Sequence, residues 1–135
     1  GEAPALGQML ELRAAFLNPL AYNYTPRNNL TELYSRRFSN SFNTANPALD
    51  IEQQFLPGYV EQFPGMPVVI QEYHCPSADQ GADLRAILEI ASRSPLLRGI
   101  SFFEYQVRYD KVGSEMAFGM FGLGNHSFGR FNYFG

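Results

Sequence analysis

The 135-residue chain contains no tryptophan and a single cysteine, Cys75. A lone cysteine excludes an internal disulfide framework and is more often an inert packing residue than a nucleophile. Basic residues are also scarce. Ten Lys and Arg against thirteen Asp and Glu leave a net charge of -3, with no stripe to neutralise a row of phosphates, so nucleic acid is not an expected partner. No apolar run approaches the roughly 20 residues that cross a bilayer, so no membrane partner is expected either. The opening GEAPALGQML has neither the basic start nor the apolar stretch of a signal peptide. It begins at Gly1 rather than Met, which leaves room for a leader or an upstream segment. Repeats, low-complexity tracts and charge blocks are missing too, so residues 1–135 read as one unit without a linker.

What the sequence does have is apolar bulk: 45% hydrophobic and 15% aromatic residues, enough for a folded core. Leu6, Met9, Leu10, Leu12 and Phe16 follow Pro4 at near-helical spacing and predict a helix over 5–17. PLAYNY, residues 19–24, is expected as a short strand. Leu30, Leu33, Tyr34, Phe38 and Phe42 predict a helix over 30–42 that starts near Asn28 or Asn29. Leu49, Ile51, Phe55, Leu56, Tyr59 and Phe63 predict another over 48–63, kinked or divided by Pro57. After the turn at Pro64-Gly65, MPVVIQEY reads as the strongest strand. A helix follows, with Ser77 and Gln80 resembling a capping box, Leu84, Ile87, Leu88 and Ala91 on its apolar face, and Pro95 as its stop. RGISFFEYQV, residues 98–107, is a further strand, and the segment 107–135 is rich in Gly and Phe with weak periodicity. Strands alternating with helices imply an α/β fold with a parallel sheet, whose ligands lie beyond the C-terminal strand ends.

The stretch VVIQEYHC therefore puts its polar residues where such a sheet keeps its chemistry. Alternation predicts Val68, Ile70, Glu72 and His74 on one face and Val69, Gln71 and Tyr73 on the other. Glu72 is then either a functional acid among aliphatic side chains or a strand-end carboxylate, solvated or paired with an Arg such as Arg108. If the two later strands are neighbours, Glu104 or Tyr105 lies beside Glu72, and two carboxylates about 5 Å apart would suit a retaining glycosidase. The bland alternative has Glu104 facing helices or a backbone group. His74, Cys75 and Glu72 are too few and too local for a metal site, and no cofactor is expected. Phe118, Phe121, Phe128, Phe131, Tyr133 and Phe134 either stack on sugar rings or pack as an edge or subunit contact. Three sequons, at Asn23, Asn29 and Asn125, favour a secreted, glycosylated, extracellular protein over chance in an Asn-rich chain.

PVVIQEYHCPS resembles the seventh-strand motif of glycoside hydrolase family 17-type β-glucanases, in which an aliphatic run ends in the nucleophilic Glu. GISFFEYQ resembles the eighth strand and SEMAFGMFGLG the following loop, so the resemblance covers roughly residues 66–124. It implies a (β/α)8 TIM barrel that hydrolyses β-linked glucan with retention. It also implies Glu72 as nucleophile, with Tyr73, His74, Phe103, Glu104, Tyr105 and Glu115 around the substrate. A whole barrel takes about 250 residues, so this chain would supply the C-terminal portion, about three strands with their helices. The family's general acid lies on a strand-four Asn-Glu motif, and the chain has no Asn-Glu dipeptide. The expected partners are thus β-glucan or another oligosaccharide, and the remaining half of the barrel or other subunits. The alternative is a non-catalytic carbohydrate-binding or structural subunit of an extracellular assembly, built on a degenerate glycosidase scaffold.

Overall fold

The computed structural model describes residues 4–76, 79–122 and 124. Helix α1, Pro4–Leu17, starts at the proline that the sequence offers as a first-turn residue. PLAYNY does not form a strand. Pro19–Tyr22 is a 3-10 turn that closes with Asn23 in the left-handed region (φ 56°), its N–H returning to the turn carbonyls. Helix α2, Leu30–Arg37, is capped by the Asn29 side chain, which accepts from Glu32 N at 3.1 Å. It stops short of the expected end at 42, because Asn40–Thr44 forms the strand β1. Phe42, at helical spacing from Phe38, faces the core from this strand.

Helices α3, Ala48–Asp50, and α4, Leu56–Gln62, flank a π-helical turn, Ile51–Phe55, with αR backbone at each junction. The three run on as one helical body. Leu56 N reaches back five residues to Ile51 O, and Pro57 follows at once. A proline in an α-helix removes an N–H and crowds the carbonyl one turn back; the wider turn absorbs both, so Pro57 does not divide the helix.

Strand β2, Val68–Tyr73, helix α5, Gln80–Arg93, and strand β3, Leu97–Phe102, complete the order. The N-cap of α5 is Asp79, which accepts from Ala82 N at 2.8 Å. Ser77, the other half of the expected capping box, lies outside the described residues. The three strands form one parallel sheet in the order β1-β2-β3, with β2 central. Among the described residues the fold is therefore α/β with four helical bodies and an open sheet, not a closed barrel. Among the described residues no helix is long and apolar enough to cross a membrane.

The core lies between the sheet and its helices and includes Phe42, Val68, Ile70, Tyr73, Phe55, Tyr59 and Ile87. At its N-terminal end the buried Asn40 amide donates to Tyr59 Oη at 3.0 Å. The Tyr59 hydroxyl in turn approaches the Met66 and Pro67 carbonyls. Three elements are joined there, with the polar atoms satisfied by one another.

Candidate active site

Strand alternation fails at the residue that matters most. In β1 the successive residues Phe42 and Asn43 pair with Ile70 and Glu72, so Gln71 is an extra residue in β2. The other neighbour agrees: Ile70 and Tyr73 pair with Ile100 and Phe102, three steps against two. A bulge of this kind turns the rest of the strand by one position. Tyr73, not Glu72, continues the buried face of Val68 and Ile70, and Gln71 and Glu72 are both exposed. The expected sharing of a face by Ile70 and Glu72 is corrected accordingly.

Glu72 opens onto a hollow of about 400 Å³ at the C-terminal end of the sheet. Its lining is Asn43, Thr44 and Ala45 from β1 and its following loop, Glu72 and His74 from the end of β2, Phe103 just beyond β3, and Glu115 and Phe118 from the segment after it. Among the described residues Glu72 makes no ion pair; Arg108, its candidate partner, is held by Asp110 through two hydrogen bonds. Glu115 accepts from Lys111 Nζ at 2.9 Å. The second carboxylate of the hollow is thus Glu115 rather than Glu104.

Four of the sequence candidates, Glu72, His74, Phe103 and Glu115, are brought together, and three are not. Tyr73 is fully buried on the helix side, its hydroxyl donating to Asp83. Burial raises its pKa most, and the Asp83 hydrogen bond and charge push the same way. Glu104 is half-buried past the cis Phe103–Glu104 peptide, with Oε1 buried and unpartnered among the described residues. β3 ends at Phe102, short of the expected 107, so Glu104 never becomes a ladder neighbour of Glu72. Tyr105 is exposed and leans on Phe121, ring centroids 5.1 Å apart.

His74 is 2% exposed. Its ring meets Phe118 edge-on at 5.3 Å, and Phe118 meets Phe103 at 5.5 Å. Burial pushes the imidazole pKa down, opposed by the Phe103 carbonyl, the Asp83 charge and the Ala117 carbonyl. Those carbonyls are near the ring, but Nδ1 has no partner of hydrogen-bond geometry.

Sequence reasoning missed Asp83 and gave Gln80 only a capping role. Asp83 Oδ1 accepts from Ala48 N at 2.9 Å while Oδ2 takes the Tyr73 hydroxyl, tying β2 and α3 to α5. A polar residue in the first turn of a helix carries no signal that distinguishes this from solvation. Asn43 and Thr44 were hidden by reading their strand as the end of a helix and a polar break. No three His, Cys, Asp or Glu side chains gather as a metal site among the described residues. Asn23 and Asn29 are exposed, and Asn125 lies outside the described residues. Compared with known proteins, the chain matches no family model, no curated protein and no solved structure.

Proposed function

We propose that this chain is the C-terminal portion of a secreted (β/α)8 glycoside hydrolase acting on β-linked glucans with retention, and that Glu72 is its nucleophile. The observation that carries the reading is the bulge at Gln71, which sets Glu72 free on the exposed face at the end of the central parallel strand. Parallel sheets present their chemistry at that end. Neutral donors and acceptors from Asn43 and Thr44 suit sugar hydroxyls, and Phe103 and Phe118 suit the apolar face of a sugar ring. Glu72 would attack the anomeric carbon to give a glycosyl ester that water then cleaves. Protonation of the leaving group would fall to a carboxylic acid from the rest of the barrel, the expected partner of this chain.

The second reading, oligosaccharide binding without cleavage, is favoured by the Lys111–Glu115 ion pair, which neutralises the second carboxylate of the hollow.

A leaving group that needs no proton separates the two. With 2,4-dinitrophenyl 2-deoxy-2-fluoro-β-glucoside, attack by the Glu72 carboxylate on C1 expels dinitrophenolate and leaves a long-lived ester. Peptide mass spectrometry is expected to find that adduct on Glu72 and to lose it in Glu72→Gln. Calorimetric binding of a β-linked gluco-oligosaccharide without any adduct would support the binding module instead. Neither adduct nor binding would dispose of both.

A further inference from the structure

Phe118 and Glu115 reach the hollow from a strap, Gly113–Phe121, that starts as a 3-10 turn, Gly113–Ala117, and belongs to no strand of the sheet. Among the described residues its backbone attachments are all to the chain just past β3. Met120 N donates to Glu104 O at 2.8 Å, Phe121 N to Tyr105 O at 3.0 Å, and Val107 N to Phe121 O at 3.0 Å. Among the described residues the Gln80 side chain ties it to the other half of the site. Gln80 Nε2 donates to Gly119 O at 2.9 Å from the first turn of α5.

Asp79 already caps α5, so the Gln80 amide is available for this. The orientation of that amide is set by Gly119, since the opposite one would press two oxygens together. Its second N–H then faces His74 Nε2, 3.3 Å away. An amide nitrogen only donates, so this ring nitrogen must keep its lone pair and the imidazole proton must sit on Nδ1. Gly119 itself has φ +108°, and a Cβ there would lie 2.4 Å from Val107 N, so the carbonyl that Gln80 holds is fixed on a backbone only glycine can follow.

We propose that Gln80 is a positioning residue: it bolts the strap, and with it Phe118 and Glu115, over the end of β2 through a pair of N–H groups that requires His74 to be neutral. An imidazolium would turn a second N–H toward Gln80, donor against donor, and one of the two must move. Among the described residues the ionisable groups around the ring are Asp83 from α5, Glu72 with the chain neighbours Tyr73 and Cys75 from β2 and its end, and Glu115 from the strap, which Lys111 pairs. The Asp83 charge favours the protonated ring, so burial is what keeps it neutral, and acid is what loosens the strap.

This geometry stands apart from the glucan reading; only its effect on oligosaccharide binding rests on it. The test uses the 135-residue chain, amide hydrogen exchange at Met120 and Phe121, and the imidazole resonances of His74, distinguished from those of His126 by His74→Ala. Gln80→Met keeps the side-chain length and removes both N–H groups. Exchange at Met120 and Phe121 is expected to quicken on the order of five- to tenfold, with Ile87 in α5 unchanged. Gln80→Glu offers an acceptor to His74 and a repelling oxygen to Gly119. It should loosen the strap as much and raise the His74 titration by about one pH unit, which a merely structural side chain would not do. If Gln80→Met does not fold, Gln80→Glu carries both readouts.

Unchanged exchange in the folded variants, or a His74 titration unmoved by Gln80→Glu, overturns the assignment. Weaker binding of a β-linked gluco-oligosaccharide that follows the quickened exchange supports it together with the glucan reading. Quickened exchange in a chain whose wild type binds no such sugar supports the positioning role and refutes the glucan reading alone.

Discussion

Removing the Asp83 carboxylate tests how the site end of β2 is fastened to its helices. The two oxygens have separate duties, Oδ2 accepting from the Tyr73 hydroxyl and Oδ1 from Ala48 N at 2.9 Å. Tyr73 is 0% exposed and Ala48 1%, so Asp83→Ala strands two buried donors at once. A buried polar group left unpaired costs about 1–3 kcal/mol, which for the two donors sums to roughly 2–6 kcal/mol. Asp83 is itself half-buried, so water can reach part of the vacated space and the lower end of that range is expected. Against a typical domain stability of about 5–15 kcal/mol this is a large fraction. Asp83→Asn keeps an oxygen for Ala48 but turns an amide NH2 to the Tyr73 hydroxyl, so it should cost about half as much. Adding Tyr73→Phe to Asp83→Asn should then cost less than the sum of the two single changes, because the phenol no longer lacks an acceptor. The assay is urea unfolding followed by circular dichroism, with the slope unchanged across the series. An Asp83→Ala protein within about 1 kcal/mol of wild type, or an Asn variant as damaged as the Ala variant, would refute the bridge.

Alkaline stability follows from the same hydroxyl. Burial first, and Asp83 second, raise the Tyr73 pKa above its ordinary 10.0, so its contribution is intact below that value and is lost as pH climbs toward the folded one. The urea midpoint of wild type should therefore fall above about pH 10, and Tyr73→Phe should flatten the fall; equal slopes would contradict this. Gly119→Ala places a Cβ 2.4 Å from Val107 N at φ +108°. It should speed amide exchange at Met120 and Phe121 while leaving the thermal midpoint nearly in place, because no strap residue belongs to the core cluster; normal exchange at both amides would count against the close approach.

Where hydrophobic spacing and local chemistry agreed, the sequence was legible. α1 and α5 lie close to where periodicity put them, and β2 was readable because Val68, Val69 and Ile70 leave no other comfortable conformation. The failures have physical causes. NSFNT carries one apolar residue, Phe42, whose spacing from Phe38 fits a helix; only the ladder to β2 reveals a strand. PLAYNY has the β-prone Tyr residues, but Pro19 at the first position and Asn23 in the left-handed region close it into a turn. At the site, Glu72 and His74 were legible as strand-end residues, whereas Phe103 was expected inside a strand over 98–107 and Glu115 came only from the family resemblance of its segment. Gln80 and Asp83 were not legible, because their partners Gly119, Tyr73 and Ala48 are known only once the chain has folded.

The bulge is the one feature that decides which way Glu72 faces, and it makes an unusual prediction about deletion. Removing Gln71 would leave Ile70, Glu72 and Tyr73 consecutive, in plain alternation: Ile70 toward the helices, Glu72 toward the hollow, Tyr73 toward the helices again. Both neighbouring ladders already skip one residue there, so the pairings Phe42–Ile70, Asn43–Glu72 and Tyr73–Phe102 need no reassignment. The shortened chain should fold, with a loss of about 1 kcal/mol and Glu72 still exposed. Removing Val69 instead has no slack to take up. It would force either Val68 or the pair Ile70 and Tyr73, all 0% exposed, out of the core, at a cost of roughly 4 kcal/mol or more. Urea unfolding of the two deletions side by side measures the difference. If both are tolerated or both are lost, the extra residue is not at Gln71, and the free orientation of Glu72 loses its structural basis.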